Sequence, residues 1–191
     1  MSLPFLYFSP VNYALAYPWP QRPGTVKMGR SWANDPWGDD LLTCIQPFTI
    51  DEIIELLSTM AETWRKATET YRQALAGCLG EQGAMPDAAE DSNHEVHALE
   101  ELMSAEYCGL CFASACDLFR WYRGVLAGKP DMALIEPELA RCRQVLPLLE
   151  AWPDLGFHQE CQHRMCSPDL VRDKIEKLGA TMVTSATAGG R

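Results

Sequence analysis

The sequence predicts an all-α fold: a helical bundle of three to four main helices, with an extended segment rich in aromatic residues and proline at its N-terminus. Three observations predict it. Apolar residues recur at helical spacing over two long stretches, helix start and stop signals bracket them, and no stretch alternates apolar with polar residues as a half-buried strand does. A hydrophobic share of 47% against 22% charged is enough for a packed core and too apolar for a disordered chain.

Residues 1–48 hold seven prolines, three glycines and the tryptophans Trp19, Trp32 and Trp37, with no sustained period. Such a segment cannot bury a face of its own, so it is expected to lie irregularly across a helical core. The helical domain is expected over residues 49–178. Its first helix opens with Thr49 and Glu52, the spacing of a capping box in which each side chain satisfies an amide of the other's turn. Ile50, Ile53, Ile54, Leu57, Met60, Trp64, Ala67, Tyr71 and Leu75 then form its apolar stripe, and Gly77 and Gly80 end it.

A second helix is expected from about Ser92 to Leu126. It carries two apolar faces, one through Leu99, Met103, Leu110, Leu118 and Trp121, the other through Cys108, Phe112, Cys116 and Phe119. Two faces require more than one partner, which makes this the central helix. Gly128 and Pro130 stop it. A third helical stretch starts at Asp131, and Pro137 and Pro147 should bend or divide it. Ser167 followed by Pro168 is an N-cap with proline at the first helical position, opening a last helix with Leu170, Val171, Ile175 and Leu178 inward. Residues 179–191 are expected to form a flexible tail. Trp64, Leu110, Trp121 and Leu149 are expected in one core, since each sits on the stripe of its helix.

The formal net charge of −10 argues against a nucleic-acid partner, which needs a basic face, and against an anionic membrane surface. No apolar run reaches the ~18 residues of a membrane span. Residues 3–16 are mainly apolar and end in Ala14-Leu15-Ala16, yet no Lys or Arg precedes Arg22 and Pro4 and Pro10 interrupt the run. A secretory signal has a charged start, so a cytoplasmic chain is expected over a secreted one. The eight cysteines fall largely within helical patterns rather than loops, and reduced, buried thiols are expected.

Cys108-x-x-Cys111 together with His158-x-x-Cys161-x-His163-x-x-Cys166 offers zinc-type ligands, which keeps a Cys/His metal-binding protein among the readings. The spacing opposes it: Cys108 and Cys111 lie inside a helix, whereas zinc knuckles place paired cysteines on turns. No nucleophile elbow, phosphate loop or dinucleotide fingerprint is found, so no catalytic residue, cofactor or metal ligand is assigned. The remaining constellation is aromatic and polar. Trp32, Asn34, Asp35 and Trp37 in the N-terminal segment, with Trp152, His158 and Glu160 near the C-terminal connector, are the residue types that stack on a sugar ring and bond its hydroxyls. Tryptophans that merely anchor an irregular segment give the same pattern.

The stretch 145–176, VLPLLEAWPDLGFHQECQHRMCSPDLVRDKIE, resembles the helical C-terminal region of large bacterial proteins described as glycoside-hydrolase-like. Leu149, Glu150, Leu155, Gly156, Glu160, Met165, Pro168, Lys174 and Ile175 carry the likeness. Arg164 stands where that pattern has an aromatic, and Cys161 and Cys166 are not part of it. In such proteins the catalytic carboxylates belong to a preceding barrel domain, so the resemblance implies an accessory or C-terminal helical domain, with a further domain or subunit as partner and a carbohydrate as ligand. It implies no catalytic residue in this chain. Trp32, Asn34, Asp35, Trp37, His158 and Glu160 are the ligand-facing candidates. A stand-alone helical interaction or dimerisation module is the alternative.

Overall fold

The computed structural model describes residues 10–24, 41–42, 45–79, 93–152, 154–155, 157–158, 163–164 and 166–188. The fold is all-α. Among the described residues five helices follow one another: α1 (Pro10–Ala16), α2 (Ile50–Leu79), α3 (Asn93–Leu126), α4 (Ile135–Ala151) and α5 (Pro168–Ala188), with a 3-10 turn Met132–Leu134 leading into α4. A ladder of two-residue strands, β1 (Phe157–His158) and β2 (His163–Arg164), closes the connector between α4 and α5 with Phe157 opposite Arg164.

Each helix boundary has a local cause. The Thr49 amide donates to Glu52 Oε2 at 2.7 Å and the Glu52 amide to Thr49 Oγ1 at 3.3 Å, the reciprocal capping box that the sequence predicts. Gly128 ends α3 at φ +69, with the Lys129 amide reaching back to the Gly124 carbonyl at 2.8 Å. That closure needs a left-handed residue, which glycine supplies without strain. Ser167 Oγ accepts from the Leu170 amide at 3.3 Å and Pro168 starts α5, as its type favours. Pro137 falls in the first turn of α4, where a missing amide costs nothing, and Pro147 lies inside the same helix without dividing it. α5 continues to Ala188, past the Gly179 at which a tail was expected.

α3 is the central element and packs against α1, α2 and α4. Residues Ser114 to Phe119 are buried without interruption, so this part of α3 is enclosed on all sides. The apolar interior falls into two clusters. One gathers Trp19, Ile53, Leu57, Leu118, Phe119, Trp121 and Ile135; the other gathers Leu15, Cys111, Cys142, Val145, Leu149, Cys166 and Val171. Trp121 and Leu149 are both buried, but in different clusters, and Leu110 is only half-buried against the second.

Residues 10–24 of the N-terminal segment lie on the core, held by named contacts. Trp121 Nε1 donates to the Pro20 carbonyl at 2.7 Å, Trp19 and Trp121 rings sit 5.9 Å apart, and the Gly24 amide donates to the Tyr122 hydroxyl at 3.3 Å. Within it α1 is a regular helix, which the lack of period had hidden: seven residues are too few to show one.

α2 and α3 have 30 and 34 residues, lengths of about 45 and 51 Å at 1.5 Å per residue. Together they form a hairpin, and along its outer half the sequence-predicted stripe of α2 slips. Thr68 is buried there and Ala67 exposed, while Met60 and Trp64 are 44% and 38% exposed. The inner half of α2 is enclosed by Ile45, Leu41 and Trp19 as well as α3; the outer half packs on α3, so only a narrow seam is covered.

Candidate functional site

The two flanks of this hairpin carry different chemistry. At about 100° per residue, His97, Glu101, Ser104 and Cys108 line one side of α3, whereas Glu106, Leu110, Ala113, Asp117 and Arg120 line the opposite side. A hollow borders each.

On the first flank, Trp64 forms one wall. Its Nε1 donates to the Ala105 carbonyl at 2.6 Å, and its ring meets Phe112 edge to face at 5.3 Å, so two contacts fix its plane while more than a third of it remains in solvent. Gly109 is what lets it sit so close, since a Cβ there would lie 3.2 Å from Trp64 Cδ1. Beside the ring, a hollow of about 460 Å³ is lined by His97, Glu100, Glu101 and Ser104. His97 Nδ1 lies 3.1 Å from Glu100 Oε2. A second hollow of about 370 Å³ shares Glu100 and Ser104 and ends on Trp152, Asp154 and Leu155, where α4 stops. The two adjoin at Glu100 and Ser104, giving a groove that Trp64 borders in one hollow and Trp152 in the other, with the carboxylates of Glu100, Glu101 and Asp154 along it.

On the second flank, a groove of about 520 Å³ is lined by alternating charges. Arg65 donates to Glu62 at 3.0 Å, Arg72 pairs with Glu69 and Glu106, and Arg120 and Arg141 both hold Asp117. The hydrogen bonds from Arg65 and Lys66 pull the Glu62 carboxyl down to about 2. From its inner end a chain of ion pairs runs into the protein. Arg141 Nε donates to Glu138 Oε2 at 2.8 Å, Ser114 donates to Glu138 Oε1 at 2.6 Å, and the same oxygen takes the ammonium of Lys174. Lys174 also donates to the Ala14 carbonyl and lies 5.2 Å from the Trp19 ring centroid. Four segments therefore meet on one buried pair: α1 through Ala14, α3 through Ser114, α4 through Glu138 and α5 through Lys174.

The thiols behave as buried hydrophobes. Cys108, Cys111, Cys116, Cys142 and Cys166 are all free. Burial pushes Cys166 up to about 11 and Cys142 to about 12, and raises Cys111 as well, with the Tyr107 hydroxyl close to both Cys111 and Cys166. Thiols held protonated in this way are poor nucleophiles. Among the described residues no group of three or more His, Cys, Asp or Glu side chains is arranged to hold a metal, and Cys161 and the side chains of His158 and His163 lie outside them.

Trp32, Asn34, Asp35, Trp37 and Glu160 fall outside the described residues, and of His158 only the backbone, on β1, is placed. Trp152 is the member of the aromatic and acidic constellation that the described site contains. The sequence does not single out its partners Trp64, Glu100, Glu101 and Asp154: Trp64 falls on the apolar stripe of its helix, and nothing in the spacing of the three carboxylates marks them. The buried Lys174 and Glu138 were missed too, although each falls on the apolar stripe of its helix: Lys174 between Val171 and Leu178, Glu138 between Ile135 and Cys142. A charge at an inward phase on two successive helices is the signal for such a pair.

No family model, no curated protein and no solved structure matches the chain. No helix among the described residues is long and apolar enough to cross a membrane.

Proposed function

We propose that this chain is an accessory helical domain of a carbohydrate-active, glycoside-hydrolase-like protein, and that the groove between Trp64 and Trp152 is the surface it turns toward a sugar. The observation that carries this reading is the Trp64 ring, fixed in orientation by Ala105 and Phe112, part-exposed, and standing beside Glu100 and Glu101. Sugar recognition uses that combination, because the CH face of a pyranose covers an aromatic ring while its hydroxyls donate to carboxylates. The resemblance of residues 145–176 to the C-terminal region of such proteins supports the same reading, and Trp152 and Asp154 lie within that stretch. The role is binding and positioning, with the bond-breaking groups supplied by another domain or subunit.

A second reading, a helical docking or dimerisation module, is favoured by a specific feature. Leu56, Met60 and Trp64 recur every four residues along α2 and are all exposed, at 47%, 44% and 38%. Such a row is an apolar edge available to another helix.

Calorimetric titration with neutral oligosaccharides separates the two when combined with light scattering. The first reading expects a monomer that binds at least one oligosaccharide, with Trp64→Ala abolishing the heat. A chain that binds no member of the panel and is a dimer dissociated by Met60→Glu supports the second.

A further inference from the structure

We infer that the inner end of the arginine-lined groove, on the flank of the hairpin away from Trp64, is a binding site for a compact carboxylate. The site centres on Arg120 and Arg141. Asp117 holds both: Arg120 Nη1 donates to Asp117 Oδ1 at 2.8 Å, and Arg141 Nη2 donates to Asp117 Oδ2. One carboxylate thus bridges two guanidinium groups, and the Glu138 behind it is matched by Lys174. Arg120, Arg141 and Lys174 carry three positive charges against two negative ones on Asp117 and Glu138, so the cluster has one positive charge in excess.

The donors left over point to the ligand's chemistry. Among the described residues Arg141 uses one edge of its guanidinium, Nε on Glu138 and Nη2 on Asp117, which leaves the Nη1 edge. Arg120 uses Nη1 on Asp117 and Nη2 on Ser58 at 3.4 Å, which leaves Nε. Both line the groove, Arg141 with its side chain 16% exposed and Arg120 with 39%. The guanidiniums are therefore oriented before any ligand arrives, and the unused planar donors suit a planar acceptor with two oxygens. Size follows from the rest of the groove. Its outer part sets Glu62, Glu69 and Glu106 against Arg65 and Arg72, which leaves one carboxylate in excess there and disfavours an extended polyanion, so a single carboxylate fits better than a chain of them.

The same carboxylate could be borne by a free organic acid or by an acidic sugar, and the test distinguishes these sources. The probes are propionate, glucuronate, glucose and inorganic phosphate, each titrated into the 15N-labelled chain while the arginine Nε–H resonances are followed. The proposal expects a saturable shift of the Arg120 Nε–H signal with glucuronate or propionate and none with glucose. Equal response to both acids identifies a free organic acid, whereas a response to glucuronate alone identifies an acidic sugar. Arg120→Gln, followed at the Arg141 Nε–H signal, should weaken binding by about tenfold or more, the scale of a lost hydrogen bond to a charged group. Because that substitution also removes a contact to Asp117, Ser58→Ala and Arg65→Gln serve beside it: the first keeps both guanidiniums and should retain binding, and the second, at the outer end, should leave affinity unchanged. Silence of Arg120 with both acids overturns the proposal, as does a phosphate response as strong as either acid's, or an equal loss on Arg65→Gln. Trp64→Ala leaves this response intact, so failure here and failure of the carbohydrate reading are separate results.

Discussion

Lys174 and Glu138 form an ion pair with both side chains fully buried, and α1 and α3 reach the same pair through the Ala14 carbonyl and the Ser114 hydroxyl. A charge in the interior is costly unless its partners saturate it. Here Glu138 accepts from Lys174, Ser114 and Arg141, and Lys174 is closed off by the Ala14 carbonyl and the Trp19 ring. The Ala14 carbonyl also takes Trp19 Nε1 at 3.2 Å, so one backbone oxygen of α1 joins Lys174 to Trp19, beside the apolar packing of Ala14, Leu15 and Ala16 on the core.

Lys174→Met should cost about 3–5 kcal/mol, because it takes the buried ammonium from Glu138 Oε1 and leaves that oxygen to the Ser114 hydroxyl. The double variant Lys174→Met, Glu138→Met should recover part of that loss, since no charge is then left unpaired by the exchange. Urea denaturation of both variants checks this. A single substitution costing under about 0.5 kcal/mol would place the pair in water.

How much of this was readable in advance follows from where the physics is local. The caps at Thr49 and Ser167 and the stop at Gly128 are decided by two or three neighbouring residues, and the sequence shows them directly. The interior of α3 was readable for the same reason, as two apolar faces on one helix leave little choice. Trp64 was not readable. Its stripe position is that of a core residue, and it is exposed because α2 outruns the elements that enclose its first half, a tertiary fact. The Trp64–Trp152 groove joins residues nearly ninety positions apart, so only Trp152 could be singled out from the chain.

Two glycines in helices should respond oppositely to alanine. At Gly124 a Cβ would meet Lys129 O and Pro130 Cα, both at 2.8 Å, so the chain leaving α3 must shift; a loss of about 1–3 kcal/mol is expected. At Gly77 nothing lies within 4 Å, and Gly77→Ala should gain about 0.5–1 kcal/mol from helix propensity. Thermal melts of the two variants check the contrast. Equal effects would contradict the close approach at Gly124.

The buried thiols predict weakening in alkali. Cys166 and Cys142 titrate near 11 and 12 in the folded chain, above the value of 9 for a free thiol. Above pH 9 the unfolded chain releases protons that the folded chain retains, so it binds fewer, and stability falls as pH rises. The contribution is complete below pH 9 and disappears through pH 11–12. Urea midpoints measured from pH 7 to 11 should stay level with respect to these groups until 9 and then decline. Cys142→Ala together with Cys166→Ala should flatten that decline, and an unchanged slope in the double variant would exclude these thiols as its cause.

The face bearing Trp64 is the centre of the account, and the indole resonances test it most directly. Trp19 and Trp121 are sealed in the core, whereas Trp64 and Trp152 border the groove. In 15N spectra recorded during titration with neutral oligosaccharides, with Trp64 assigned through Trp64→Phe, the Trp64 and Trp152 indole signals should shift together and saturate at one ligand concentration. Those of Trp19 and Trp121 should stay fixed. Indole signals of Trp64 and Trp152 that remain unmoved across the panel, or that move no more than those of the two core tryptophans, would contradict a sugar-facing groove.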